Sequence, residues 1–295
     1  MRPEAQPLRI AVVGSVNLDL VARVERFPLP GETVTDAVVS RFPGGKGANQ
    51  AVAARRLGAQ VAMLACVGDD PVADEVLRNL REHDIDLSGC HTLSGMATGL
   101  ALILVSASGE NQIVVAPSAN ASFAPELLNL PLADAFIAQL EIPVPTIRKL
   151  AETRSGFFCL NAAPVRDLPE EILALTDLLV VNEGEAMALA DKTRHFPNWL
   201  AITLGAEGAV LLQAGKEVAR ARPPRIEVVD TTGAGDAFTA ALTVAMVSGL
   251  SPQAALQRAC IAGALTATRR GAQSSPSLAE IEQLEATMAD GVGTG

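Results

Sequence analysis

Asp230-Thr-Thr-Gly-Ala-Gly-Asp236-Ala-Phe238 sets a carboxylate directly behind a glycine turn, where a long apolar run to Val247 begins. That run reads as a helix. The first N–H groups of a helix have no internal partner and together carry about half a positive charge, so Gly233, Ala234 and Gly235 form a cradle for an anion. Asp236 stands within reach of whatever attacks that anion. A cradle for developing phosphate charge beside a proton acceptor is the minimum equipment for moving a phosphoryl group onto an alcohol.

The apolar run, Ala237 to Val247, is well short of the ~20 residues that cross a bilayer, so the helix must be housed inside a protein core. The rest of the chain supplies that housing. Leu8–Val13, Gln60–Val67, Ala135–Leu140, Phe157–Leu160, Leu178–Val181 and Leu200–Leu204 are near-continuous apolar runs that predict buried strands. Gly47–Leu57, Pro71–His83, Val144–Thr153, Gly235–Val247, Pro252–Thr268 and Leu278–Met288 predict helices. The alternation implies an α/β fold: a doubly wound, mostly parallel sheet with helices on both faces, in which ligands gather at the carboxyl ends of the strands. Two stretches break the rhythm. Thr33–Phe42, and Gly99–Val105 with Gln112–Ala116 across the turn at Ser108–Asn111, predict antiparallel strands without intervening helices. They suggest a small separate sheet over the carboxyl edge, a lid that would exclude water from a phosphoryl donor. The expected organisation is one domain over 1–295, with lid strands from about 15–42 and 92–117 and a disordered tail at Gly291–Gly295.

With 295 residues and 49% hydrophobic content the chain has ample material for such a core. Its net charge of -10 and scattered basic residues argue against nucleic acid or a membrane surface as partner. Cys66, Cys90, Cys159 and Cys260 stand singly, without zinc or redox spacing, and read as reduced core thiols. His83, His91 and His195 show no metal spacing either. Trp199 reads as packing. The start, MRPEAQPLRI, lacks the apolar segment of a signal peptide, which predicts a cytoplasmic protein.

A second glycine cluster, Gly44-Gly-Lys-Gly-Ala-Asn-Gln50, opens another helix. It is not a Walker loop, because Gly47 follows Lys46 where Ser or Thr is needed. Nor does Gly14-Ser-Val-Asn-Leu-Asp19 carry the glycines of a dinucleotide fingerprint. What remains suits a sugar: Asn17, Asp19, Lys46, Asn49 and Glu141 all fall at junctions where side chains can converge, and carboxylates, amides and an ammonium match vicinal hydroxyls. Asn182-Glu-Gly-Glu185, after the strand ending at Val181, offers an amide and an acid to phosphate-bound metal and its waters.

These motifs together resemble the ribokinase-like (PfkB) carbohydrate kinases. Gly44–Asn49 and Asp230–Asp236 match the family's two signatures, Asn182–Glu185 matches its metal-and-phosphate motif, and the likeness runs from about Arg9 to Met288. Gly14–Asp19, Pro30–Val34 and Thr268–Gln273 are most similar to members acting on D-ribose. The resemblance implies ATP-dependent phosphorylation of the ribose 5-hydroxyl, with Asp236 as general base and Gly233, Ala234 and Gly235 as the anion hole. It implies a sugar site of Asn17, Asp19, Gly45, Lys46, Asn49 and Glu141. Asn182 and Glu185 would organise Mg2+ and phosphate, with Thr203, Gly205 and Gly208 on the nucleotide side. A monovalent-cation site, expected to hold K+, maps to Asp230, Thr232, Thr266, Arg269, Gly271 and Ser275, and would order the anion-hole loop.

The chain departs from that pattern between Ala190 and Leu200, where a helix usual in the family is missing, and at Glu207, where a basic residue is common. Two other functions stay open on the sequence. One is a kinase of the same family acting on deoxyribose, a nucleoside or another sugar; the other is a sugar- or nucleotide-binding sensor without catalysis. Exposed lid strands would also allow a homodimer.

Overall fold

The computed structural model describes residues 6–292. In chain order the strands and helices are β1 (Arg9–Val13), β2 (Asn17–Arg23), β3 (Val38–Gly44), α1 (Lys46–Arg56), β4 (Gln60–Gly68), α2 (Pro71–Glu82), β5 (Asp86–Leu93), β6 (Gly99–Val105), β7 (Asn111–Ala116), β8 (Ala135–Gln139), α3 (Val144–Thr153) and β9 (Phe157–Asn161). They continue through α4 (Glu170–Ala174), β10 (Leu178–Asn182), α5 (Glu183–Ala188), α6 (Ala190–Thr193), β11 (Trp199–Thr203), β12 (Ala209–Gln213), β13 (Lys216–Ala221), α7 (Ala234–Val247), α8 (Pro252–Ala267) and α9 (Leu278–Val292).

Nine strands form the main sheet in the order β13-β12-β11-β10-β9-β8-β1-β4-β5. Pairing is parallel from β11 through to β5, and antiparallel only at β11/β12 and β12/β13. Successive residues of a strand face opposite sides, and the two faces are filled differently. Ile10 and Val12 pack with Ala48 and Val52 of α1, Leu80 of α2, Leu242 of α7 and Leu256 of α8. Ala11 and Val13 pack with Ile147 and Leu150 of α3 and Ile172 of α4. The near-continuous apolar strands follow from this double burial. Small residues bring α7 and α8 close: a Cβ on Gly263 of α8 would approach within 3.1 Å of the Ala234 carbonyl in the first turn of α7.

β1 lies between β4 and β8, so the chain leaves it in two directions and a crevice opens at its carboxyl end. Four lid strands, ordered β3-β2-β6-β7, rise there as a second sheet. β2 begins just past β1, and β3 returns directly into α1, so lid and crevice share the residues that join them.

The expected doubly wound sheet and lid are present, with corrections in detail. β3 starts at Val38 rather than Thr33, and 33–37 is irregular. β2, within the expected lid span of 15–42, is a central lid strand whose separate bounds were not expected. β5 and the β12–β13 hairpin were also missed. The hairpin turns on Ala214 and Gly215, both at positive φ (49° and 75°), the backbone demanded by a two-residue turn. The abbreviated link between β10 and β11 holds only α5 and the four-residue α6. α9 continues through Val292, so Gly291 is helical where a disordered tail was expected; 293–295 lie outside the described residues. Among the described residues no helix is long and apolar enough to cross a membrane. Cys66, Cys159 and Cys260 are buried and unpaired as expected, but Cys90 is only partly buried. Burial pushes all four thiols up to about 12.

Candidate active site

α7 begins at Ala234, one residue before the expected Gly235, with Gly233 as its cap in the left-handed region (φ 79°). A side chain is excluded there, since a Cβ would lie 2.2 Å from the Ala272 carbonyl oxygen. Ala234 N–H donates to Thr231 O at 3.2 Å, so the cradle rests first on Gly233 and Gly235. Asp236 is 6% exposed. Its Oδ2 accepts from Asn49 Nδ2 at 2.8 Å and its Oδ1 from Gln50 Nε2 at 3.0 Å. Burial pushes its carboxyl above the ordinary range; Lys46 and the two amides pull the other way, with Glu141 adding to the rise.

The predicted sugar residues meet around Asp236. Asn17 and Asp19 enter on β2, and Gly45, Lys46 and Asn49 on the start of α1. Gly44 and Gly45 make room for that approach: a Cβ on Gly44 would lie 2.3 Å from the Asp19 carboxylate, and one on Gly45 (φ 89°) 2.7 Å from Asn17 N. Burial outweighs the local carboxylates on the Lys46 ammonium singly, yet Asp236, Glu141, Glu185 and Asp19 together raise it. Asp19 is pushed up to about 7, mainly by burial and then by Glu141, Asp236 and Asp230. Asn49 spends its nitrogen on Asp236 and leaves Oδ1 buried without a partner, an acceptor suited to a hydroxyl. Glu141 accepts from the Ser15 hydroxyl and, at 3.2 Å, from Lys46 N, tying β8 to the start of α1.

Four buried polar residues escaped the sequence reading. Ser15 links Glu141 to Gly47 N. Asn120 grips β2 by accepting from Val16 N (3.0 Å) and donating to Val16 O (3.1 Å) and Asn17 Oδ1 (2.8 Å). Gln50 and Gln139 lie behind Asp236. Each sits within or beside an apolar run, and only the fold reveals its partners.

On the other side of the α7 terminus is a cleft of about 650 Å³. Thr203, Gly205 and Gly208 line it, with Ala234 and Gly235 along one wall and Ile226, Val228 and Phe238 supplying an apolar surface. Asn182 and Glu185 close a capping box on α5: each side chain holds the other's backbone N–H at 2.8 Å. Capping does not exclude a ligand role, because a carboxylate keeps further lone pairs. Burial raises the Glu185 carboxyl, which also feels Lys46 and Asp236 and so belongs electrostatically to this site. Among the described residues no three His, Cys, Asp or Glu side chains form a metal cluster. Asn182 and Glu185 offer one amide and one carboxylate, a donor set that fits magnesium, which keeps its waters and binds chiefly through substrate phosphates and one or two carboxylates.

Asp230 ties together the loops before α7 and after α8. Its Oδ1 accepts from Thr232 N (3.0 Å) and Oγ1 (2.6 Å), and its Oδ2 from Gly271 N (3.1 Å). Ser275 Oγ is buried with no partner, which fits a cation liganded by oxygen. The Thr266 hydroxyl donates to Ala262 O and keeps its lone pairs, while the Arg269 guanidinium, engaged with Ser274 O and Glu280, has none, so Arg269 could serve such an ion only through its main chain. His83 and His91 bond the carbonyls of Asn79 and Leu127, as structural residues. Trp199 packs against the core.

The family model described as pfkB family carbohydrate kinase matches residues 8–279. A ribokinase of Bacillus subtilis is 37% identical over 290 residues, covering 93% of this chain and 98% of its own. Among solved structures, ribokinase from Thermotoga maritima superimposes with a TM-score of 0.86 at 33% identity, covering 95% of this chain and 99% of that one. Arabidopsis thaliana ribokinase complexed with ribose and ATP gives 0.84 at 27% identity, with 95% and 99% covered. By motif, fold and match over most of its length, the chain belongs to the pfkB family of carbohydrate kinases.

Proposed function

We propose that the protein transfers the γ-phosphoryl group of ATP to the 5-hydroxyl of D-ribose, as a cytoplasmic enzyme. The observation that carries this reading is that one helix terminus separates a cleft from a buried polar cluster of quite different chemistry. Gly235 and Ala234 line the large, partly apolar cleft, while Asp236, one residue on, is buried among the polar residues beneath the lid. A nucleotide on one side and a sugar on the other would meet across the N–H groups of α7. Similarity to ribokinases, including one solved with ribose and ATP, supports the choice of both ligands.

In this reading Asn17, Asp19, Gly45, Lys46, Asn49 and Glu141 bind and orient the sugar. Asp236 accepts the hydroxyl proton as the new O–P bond forms and the bond from the γ-phosphorus to ADP breaks. Gly233 and Gly235, with Ala234, receive the charge spreading over the phosphoryl oxygens. Thr203, Gly205 and Gly208 hold the nucleotide. Asn182 and Glu185 would help to hold Mg2+, which would neutralise charge on the phosphates. A monovalent cation, K+ by preference, bound at Asp230, Thr232, Thr266, Arg269, Gly271 and Ser275, would stiffen the loop that carries Gly233. The Asp230 to Gly271 hydrogen bond already joins that loop to the one after α8.

A homodimer through the lid is part of the same proposal. Val38, Val39, Ile113 and Val114 are 53–67% exposed on the two edge strands of a four-stranded sheet, an apolar edge that soluble monomers normally avoid.

The test is ADP release from MgATP with D-ribose, 2-deoxyribose, fructose and ribonucleosides, each in potassium and in sodium. Potassium-favoured turnover highest on ribose is the expected result. Higher turnover on another acceptor would reassign the sugar site, and no turnover on any would favour a binding sensor.

A further inference from the structure

Asp236 is gripped from behind by a chain of buried amides that the substrate roles do not use. Gln50 Nε2 donates to Asp236 Oδ1 at 3.0 Å and to Asn161 Oδ1 at 3.2 Å. Gln139 Nε2 donates to Gln50 Oε1 at 2.6 Å, and Asn161 Nδ2 to the Val180 carbonyl at 3.2 Å. Gln50 and Gln139 are fully buried and Asn161 is 8% exposed. An ionised carboxylate only accepts, so its presence settles which way each amide points. Gln50 must turn its nitrogen to Asp236 and its oxygen to Gln139, and Asn161 must take the second N–H.

Stability alone does not account for this arrangement. Three amides from α1, β8 and β9 are taken out of water, and Gln139 Oε1 is left without a partner, a cost that apolar residues of similar shape would not carry. What the chain does accomplish is directional: it aims a donor at one carboxylate oxygen, while Asn49 aims another at the second. We propose that Gln50, locked in orientation by Gln139 and Asn161, is a positioning residue that keeps Asp236 ionised and aimed for proton abstraction. The role assigned to Asp236 rests on the kinase reading above. The hydrogen-bonded amides oppose the rise that burial imposes on Asp236. The charged groups that also face it are Lys46 on α1, Glu141 after β8, Asp19 on β2 and Glu185 on α5. None of these changes in the variants that follow.

Gln50→Met removes the donor, and Gln139→Met removes only the lock, without touching Asp236. Loss of a charge-assisted bond is expected to lower kcat by about 10-fold in Gln50→Met, to move the acid limb of its pH profile up by about one unit, and to leave the ribose KM within about threefold. Gln139→Met should shift the same limb in the same direction by less. A readout independent of turnover is carbon-13 NMR of protein labelled at the aspartate carboxyls, without substrate, with the Asp236 signal assigned by its disappearance in Asp236→Asn. The signal should titrate at higher pH in both variants than in the unaltered protein. If Gln50→Met does not fold, Gln139→Met decides alone. An Asp236 titration unmoved in every folded variant overturns the proposal, whatever happens to Tm or kcat. A moved titration in a protein that phosphorylates none of the acceptors supports the positioning role and overturns the kinase reading instead.

Discussion

Asp19 shows how the site is held against the folded state's own preference. Its carboxyl is 7% exposed and pushed up to about 7, from an ordinary value of 3.8, by burial and then by Glu141, Asp236 and Asp230. Between those two values the folded protein binds a proton that the unfolded chain has released, so stability attributable to this group falls as pH rises from about 4 to 7. Removing the charge should recover it. Asp19→Asn is expected to raise Tm by a few degrees at pH 8 and by much less at pH 4, while weakening ribose binding; thermal melts at the two pH values check this. A Tm gain equal at both pH values would mean that the carboxylate is not the source. Gln50 and Gln139 teach the complementary lesson about legibility. They lie inside a helix and a strand that read as apolar core, and their partners are separated from them by 89 to 186 residues, so nothing local marks them. Asp236, by contrast, was legible because a glycine turn, an acid and an apolar helix are contiguous.

The start of α7 is the element on which both the cleft and the buried polar cluster depend, and its two glycines serve different purposes. Gly233 is required by backbone: positive φ and a carbonyl 2.2 Å from any Cβ. Gly235 has ordinary φ and nothing within 4 Å of a Cβ, but it lines the large cleft. Gly233→Ala should therefore lower Tm by about 4 °C or more and reduce activity with it, since a strained αL residue and a backbone clash each cost about 1 kcal/mol or more. Gly235→Ala should keep Tm within about 1 °C and raise the ATP KM, because a methyl in open space strains nothing but narrows the approach to the helix N–H groups. Melting curves beside ATP saturation curves separate the two; matched losses in both variants would contradict this division. Elements buried on both faces, such as β1, β8 and β10, announced themselves as apolar runs. β5, with its half-exposed Asp-Leu-Ser-Gly-Cys-His-Thr-Leu, and β13, with Lys-Glu-Val-Ala-Arg-Ala, did not, because edge strands in contact with water lose that pattern. β2 fell inside the expected lid span, but its bounds were not legible, because the polar Asn17 and Asp19 interrupt its apolar pattern.

At the scale of the molecule, the lid and the main sheet are joined by the segments that carry the chemistry, β1 to β2 and β3 to α1. Lid position and site geometry are thus one variable. Phe42 on β3 also faces the loop after α8, where a Cβ on Gly271 would approach it to 3.1 Å. If the exposed edges of β3 and β7 pair between copies, sedimentation at micromolar protein should give a dimer of the 30.6 kDa chain, and Val114→Glu should give a monomer with a raised ribose KM. A monomeric unaltered protein would remove the dimer but leave the chemistry intact. That chemistry is tested most directly by Asp236→Asn, an isosteric change that keeps the neighbouring amides and deletes the base. Ribose binding by calorimetry should stay within about threefold of the unaltered protein, while ADP release with ribose and MgATP falls by about 10²- to 10⁴-fold. Turnover within threefold of normal would contradict the assignment of Asp236 as the base.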